Sequence, residues 1–465
     1  MLLIKNGYVL DPKSGQKGIC DILIKEHKIQ QMRPNILESD FSKEEQNHLQ
    51  IIYADNMMIA PGLVDVHVHF RDPGFTYKED IYTGAKAAAK GGFTTVVLMA
   101  NTKPTVDNPD TLKYVIEKGS KTDIHVLTCA SITKGLKGHE LTDMNTLNSI
   151  GAVGFTDDGI PMLDENMVLT AMKKAKELCV PLSFHEENPD LITNNGINHG
   201  KASEYYNIEG SPRSAEIDLI SRDLSLAIEF DAPINIQHIS SKEGVELVRQ
   251  AKFEIISKKN ITLPLSNSKE DIIDLKKCHE PITQIIPSEV VRNINIHCEA
   301  TPHHFSLTEE AAIQYGTLAK MNPPLRTEQD RQAIIRGLKD NTIDIIATDH
   351  APHSIEEKGK PIIEAPSGII GLETAFSLGV TNLIKKGHLS YMELLEKMTI
   401  NPASMYHLDC GYLAEGGPAD LIIFNENSYT IDKFYSKSDN SPFKGETLIG
   451  EIQYTICDGK IVYKK

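Results

Sequence analysis

The chain has no CxxC pair, no long apolar run and too few cations to balance its acids. Its seven cysteines, Cys20, Cys129, Cys179, Cys278, Cys298, Cys410 and Cys457, are odd in number and scattered. That pattern excludes a disulfide framework and fits reduced thiols, so a cytoplasmic setting is expected. No stretch approaches the ~18 apolar residues of a membrane-spanning helix. The N-terminal MLLIKNGYVLDPKSG also lacks the long apolar segment of a signal peptide. Lys and Arg number 48 against 64 Asp and Glu, a net charge of -16. Such a surface repels nucleic acid and anionic membrane, so neither is expected as a partner. An anionic substrate must then be held by local cations.

A length of 465 residues is too great for one ordinary core and suits a large barrel carrying a smaller appendage. Residues 1–60 read as short alternating strands, LIKNGYVL, CDILIKEHKIQQM and IIYADNMMIA, broken by Gly, Asp or Asn. From about 413 the texture returns in YLAEGGPADLIIFN and EIQYTICDGKIVYKK. The two ends are therefore expected to pair into one small β-sandwich domain. The expected division is 1–60 with 406–465 for that domain, and 61–405 for the middle.

In the middle, eight strand-like runs recur, mostly separated by helix-like segments: LVDVHVH, FTTVVLM, IHVLTCA, AVGFT, VPLSFHE, PINIQHIS, NINIHCEA and IDIIATDH. Helical spacing is visible at Met167, Ala171, Met172, Ala175 and Leu178. This rhythm predicts an α/β fold, a (β/α)8 TIM-type barrel whose active site lies where the strands end. One interval, about 253–293, is long for a connection and rich in Lys, Ser and Pro. It is expected to be an exposed insertion, with IIDLKKC and EPITQII as helices packing on the barrel or on a partner.

The strand ends carry the chemistry. In PGLVDVHVHFRDPG, residues 61–74, His67 and His69 stand two apart and share one face of a strand. Two converging imidazoles suit a borderline cation such as Zn²⁺, and Arg71 continues that face toward any anion nearby. Polar groups able to bind metal close four further runs: Asp157 or Asp158 in GFTDDGIP, His185 in LSFHEEN, His238 in NIQHISS and Asp349 in IIATDHAPH. Each is weak singly, since a lone histidine on a strand is more often a core or surface residue than a ligand. Above one barrel they supply ligands enough for two ions. Two divalent cations sharing a carboxylate acidify a water between them, which suits hydrolysis of an amide-like bond. Asp349 would then both ligate metal and serve as general base, passing a proton to the leaving nitrogen. Its competing structural reading is an N-cap for the following helix.

PGLVDVHVHFRDPG, GFTTVVLMANTKPTVDN, ITKG, FTDDG, QHIS, NPPLR and ATDHAPH follow one another in the order seen in dihydroorotases. The chain resembles that family, of the cyclic amidohydrolase group in the amidohydrolase superfamily, over nearly its whole length outside 253–293. The resemblance implies reversible cyclisation of N-carbamoyl-L-aspartate to L-dihydroorotate plus water in de novo pyrimidine (UMP) biosynthesis, with one or two Zn²⁺ per subunit. It implies that His67 and His69 bind one metal, that Asp158 rather than Asp157 bridges, and that His185 and His238 bind the second. Asp349 matches the catalytic aspartate, itself a metal ligand. His69, Arg71, Asn101, Asn322, His353, Ser367 and Gly368 match substrate-binding positions, with Arg71, Asn101 and His353 on the substrate carboxylate. A surface salt bridge for Arg71, a rigid turn for NPPLR and a hinge for APSGIIG are the competing structural readings. The charged IEEKGKPIIE reads as a lid.

Hydantoinases, allantoinases and some dihydroorotases bridge their metals with a carboxylated lysine, where FTDDG offers aspartate. That points to the bacterial dihydroorotase subgroup with an aspartate bridge. Two other readings stand beside it: an allantoinase- or hydantoinase-like hydrolase of another cyclic amide, and a noncatalytic dihydroorotase-like subunit of an aspartate transcarbamoylase complex. The complete set of ligands favours an active enzyme. The expected partners are the small-molecule substrate, aspartate transcarbamoylase, and further copies of the chain in a homo-oligomer.

Overall fold

A computed structural model describes residues 1–261, 263 and 284–465. Five strands open the chain: β1 (Leu2–Asp11), β2 (Gln16–Lys25), β3 (Lys28–Arg33), β4 (Gln50–Tyr53) and β5 (Met58–Pro61). Eight follow in the middle: β6 (Leu63–Val68), β7 (Phe93–Leu98), β8 (His125–Thr128), β9 (Phe155–Thr156), β10 (Leu182–Phe184), β11 (Ile234–Ile236), β12 (Ile296–Ala300) and β13 (Ile345–Ile346). Three more close it: β14 (Leu421–Thr430), β15 (Thr447–Cys457) and β16 (Lys460–Lys464).

The first five and last three strands make one eight-stranded sheet, ordered β16-β15-β14-β5-β1-β2-β3 with β4 on β1. Its seam is β5, parallel to β1 and antiparallel to β14, so the chain ends pair as expected. Period-two alternation lets this sheet serve two cores at once. Leu421 and Ile423 join Leu2, Ile4, Ile22 and Ile59 in the domain's own aliphatic core. Ile422 and Phe424, on the opposite face, join the core shared with the barrel.

The barrel is two parallel arcs, β6-β7-β8 and β9-β10-β11-β12-β13. Single parallel bridges, Ala130 to Phe155 and Val68 to His350, close them into a ring. Every residue of β6 and β7 is buried, as strands covered on both faces require. Helices cover the outside. Helix Glu165–Leu178 starts where the Asp164 carboxylate accepts from the Asn166 and Met167 amides, and it buries Val168, Ala171, Met172 and Ala175. Met167 and Leu178, expected in that stripe, lie half-buried at its margin.

Helix Lys242–Lys258 carries the barrel rhythm past residue 253, so the extra segment begins later than expected. The chain rejoins the barrel at helix Ser288–Val291, where the Ser288 hydroxyl donates to Glu396 and Arg292 pairs with the same carboxylate at 2.8 Å. The helices expected at 272–278 and, save for its last residues, at 280–286 lie outside the described residues. Among the described residues no helix is long and apolar enough to cross a membrane.

Candidate metal and substrate site

Asp158, just past β9, sits among four imidazoles. Its Oδ1 lies 3.4 Å from His67 Nε2, 3.8 Å from His185 Nδ1 and 4.0 Å from His238 Nε2, and its Oδ2 lies 3.5 Å from His69 Nε2. Asp349, past β13, places Oδ1 3.0 Å from His69 Nε2 and 3.6 Å from His67 Nε2. The donors form two sets, His67 with His69 and Asp158, and Asp158 with His185 and His238. Within each set every donor atom lies within 4.8 Å of the others. His67, His69, Asp158, His185, His238 and Asp349 therefore meet in one buried place, and Asp158 belongs to both sets.

The electrostatics follow from burial and crowding. Burial alone would lower the pKa of His67, but the Asp158 and Glu299 carboxylates overcome it and hold the imidazole well above its usual range. Burial would likewise raise Asp158, yet His67, His69 and His185 hold it well below. His185 is raised, burial being outweighed by Glu187 and Asp158. His238 is pushed well down by burial and by the neighbouring His185 and His67; its Nε2 lies 2.9 Å from His185 Nδ1. Imidazole nitrogens and carboxylate oxygens so placed share positive charge, whether a proton or a metal ion. His67 Nε2 is buried without a hydrogen-bond partner, a costly orphan unless its lone pair is used. Orphaned nitrogen, shared carboxylate and donor chemistry together fit a divalent metal.

A second layer aims these donors. His67 Nδ1 lies 3.0 Å from Glu299 Oε2, and the Asn235 amide donates to the other Glu299 oxygen. Asn101 brackets the cage: its Oδ1 lies 2.9 Å from His69 Nδ1 and its Nδ2 donates to Asp158 Oδ2 at 2.9 Å. Such outer partners fix the tautomer and orientation of a metal-binding imidazole. Glu299 and Asn235 were not among the residues expected. The signal for Glu299 was an acidic residue near the end of NINIHCEA, a strand otherwise without a candidate. Asp157 and Asp158 differ in their contacts. Asp157 faces the other way, its Oδ1 accepting from the Ile132 and Thr133 amides at 2.8 and 3.0 Å and its Oδ2 from the Thr133 hydroxyl. His238 and Asp349 have φ of 29° and 48°, in the left-handed region, a strain that concentrates where side chains must leave the strand line.

On the substrate side, Arg71 is half-buried and its Nε donates to Pro352 O at 3.3 Å. Burial lowers its pKa; the carboxylates opposing that, Asp349 and Asp158 first, belong to the cage. Among the described residues the bond to Pro352 O is its polar contact and it forms no ion pair. A cleft of about 290 Å³ opens beside His185 and Asn322, lined also by Gly159, Glu187, Asn194 and Lys320, a size suited to a small ligand. Asn322 lies with Nδ2 3.3 Å from His185 Nε2 and with Oδ1 buried and unpartnered. The His353 ring donates through Nε2 to Ser367 O at 2.8 Å, while Ser367 Oγ is buried without a partner.

The segment read as a lid is tied down. Lys320 Nζ donates to Ile362 O and Ala365 O, both at 2.8 Å, and Lys358 Nζ to Pro366 O at 2.9 Å. The Gly368 amide donates to Lys320 O at 2.8 Å. Gly368 has φ of +109°, and a Cβ there would stand 2.6 Å from Ala351 Cβ, so only glycine fits.

The Dihydro-orotase-like family profile matches residues 56–244, and that of the Amidohydrolase family matches 364–463. The dihydroorotase of Clostridioides difficile (strain 630) is 52% identical over 464 residues, covering 100% of each chain. The chain belongs to the dihydroorotase family. The dihydroorotase of Lactococcus lactis subsp. lactis (strain IL1403) is 46% identical over 465 residues, covering 100% of this chain and 99% of that one. Among solved structures, L-hydantoinase (dihydropyrimidinase) from Arthrobacter aurescens superposes with a TM-score of 0.81 at 23% identity, covering 100% and 96% of the two chains. D-hydantoinase from a Bacillus sp. AR9 does so at 0.78 and 19%, covering 100% and 95%. At that identity they attest the fold, a TIM barrel with a β-sandwich. This dihydroorotase-family chain is a hydrolase acting on cyclic amides, with His and Asp groups able to hold a metal ion.

Proposed function

We propose that the chain interconverts N-carbamoyl-L-aspartate and L-dihydroorotate in cytoplasmic pyrimidine biosynthesis, using one or two Zn²⁺ held by His67, His69, Asp158, His185, His238 and Asp349. The observation that carries the substrate assignment is Arg71, a cation with no ion pair among the described residues beside the Asp158-centred cage. A planar guanidinium grips a carboxylate through two hydrogen bonds, and dihydroorotate has that carboxylate where a hydantoin has none. Divalent ions held in the cage would supply Lewis acidity toward the ring amide and the attacking water. The protein's own groups do the rest. Asp349 takes the proton of the attacking water and delivers it to the ring nitrogen as the amide bond opens, and returns it in the cyclising direction. Asn101 holds His69 and Asp158 in place through the two ends of its amide. His353, Asn322 and the Ser367–Gly368 backbone line the ring. The working units are residues 61–405 for the barrel and 1–60 with 406–465 for the terminal domain.

The test is a ring-opening assay on dihydroorotate and on hydantoin, with metal analysis of the same preparation. Arg71→Ala should raise KM for dihydroorotate by about 10- to 100-fold, the value of a lost charge-assisted pair. It should leave any slow hydantoin turnover unchanged. Equal losses on both rings would remove Arg71 from the carboxylate.

A further inference from the structure

At the opposite end of the barrel strands from the cage, where the barrel meets the terminal domain, a second group of donors converges. His125 opens β8, Asp420 immediately precedes β14, Cys457 ends β15 and Asp458 begins the turn into β16. His125 Nε2 lies 3.0 Å from Asp420 Oδ2 and 3.9 Å from Asp458 Oδ1. The donor atoms of His125, Asp420 and Cys457 all lie within 4.8 Å of one another. We propose that His125, Asp420 and Cys457, with Asp458 as the fourth donor, form a structural site for a divalent ion of the zinc class that pins the terminal domain to the barrel.

Three features support a built site over a chance ion pair. The first is charge. Two carboxylates and a thiol lie about the His125 imidazole, His27 bonds the Asp458 main-chain oxygen at 3.1 Å, and no lysine or arginine pairs with either carboxylate among the described residues. Asp420 is nearly inaccessible, and a buried carboxylate short of positive charge is costly. The second is donor type: one sulfur, one imidazole nitrogen and carboxylate oxygens are the mixture zinc prefers.

The third is preorganisation with an entry path. The Asp458 amide donates to Asp420 Oδ1 at 2.7 Å, which leaves Oδ2 turned toward His125. Main-chain bonds hold the same corner, from the Gly62 amide to Asp420 O and from the Gly459 amide to Ala419 O, each 3.0 Å. Cys457 Sγ sits 3.7 Å from Thr94 O at the foot of β7. The buried pair, Asp420 and Cys457, forms the floor. His125 and Asp458, with 37% and 51% of their side chains exposed, form the open rim through which an ion arrives. The N-terminal face of such a barrel serves stability rather than catalysis, so an ion here acts through linkage to folding.

The cage in the barrel holds only histidine and aspartate donors, so a cobalt-thiolate charge-transfer band separates the two sites. The full-length protein, stripped of metal, is titrated with Co²⁺. The expected result is a near-ultraviolet thiolate band that saturates at one cobalt per chain and is bleached by Zn²⁺. Cys457→Ser should abolish the band, lower metal content by one equivalent and leave dihydroorotate turnover within twofold once metal is restored. His125→Gln, at a partly exposed position that tolerates the change, should weaken Co²⁺ binding in that band by at least tenfold. The absence of a thiolate band in the wild-type chain, or its survival in Cys457→Ser, would overturn the proposal and leave a bare His–Asp pair beside a neutral thiol.

Discussion

The carboxylate of Asp349 is held 3.0 Å from His69 Nε2, in a left-handed backbone turn at 8% exposure. Its proposed work depends on charge and basicity as well as on an oxygen in the right place. Asp349→Asn keeps the size and one ligating oxygen while removing the base. Turnover of dihydroorotate should fall by about 10²- to 10⁴-fold, the usual worth of general-base catalysis, while metal content by atomic absorption stays near that of the wild type. Turnover retained in Asp349→Asn would take the proton-transfer role away from it. At this scale the sequence was informative about residue type and less so about role. Asn101 was expected against the substrate, and both ends of its amide are engaged with His69 and Asp158.

The strand ends supply the donors, but the segment over the cleft is organised by two buried lysines, Lys320 from a neighbouring loop and Lys358 from the segment itself. Lys358, the last residue of helix Ile355–Lys358, has its ammonium pushed down to about 7 by burial, with Lys320 adding to the effect and Glu357 opposing it. In an opened segment the same lysine titrates near the ordinary value of ~10.4. Between those two pH values the open form binds more protons than the closed one, so raising pH favours closure. The increment is up to about 1.4 kcal/mol per pH unit within that window, and below about 7 the pH dependence vanishes. Protease nicking of residues 359–366 should therefore slow from pH 7 to pH 9.5 relative to an unstructured control peptide. Lys358→Met should abolish that slope, and a slope unchanged in the variant would exclude Lys358 as its source. A charged composition alone read as a lid; what anchors it is a pair of ammonium groups spanning to carbonyls that no local pattern reveals.

Across the whole molecule, the net charge of -16 opposes the approach of an anionic substrate, while Arg71 in its proposed role would draw it in at short range. Salt screens the first effect strongly and the second weakly, because long-range fields fall within a Debye length of ~8–10 Å and partly buried contacts do not. For N-carbamoyl-L-aspartate, kcat/KM should rise severalfold between roughly 10 and 150 mM salt and then level off. A monotonic fall with salt would mean that the local cations dominate the approach. The terminal sheet adds a constraint at the same scale. With β5 paired to both β1 and β14, neither end of the chain completes that domain without the other.

The sequence by itself determined what depends on spacing along the chain: period-two strands at both ends, eight strand-like runs between them, two histidines on one face of β6, and polar residues where strands stop. These are local patterns, and the physics that sets them acts over a few residues. Only the tertiary structure decided which of two adjacent aspartates faces four imidazoles, because Asp157 is claimed by backbone amides of residues 132 and 133. It alone brought Glu299 behind His67, 232 positions apart, and Asp420 against His125, 295 apart. Contacts at such separations follow from ring closure and the pairing of chain ends, which no window of sequence contains.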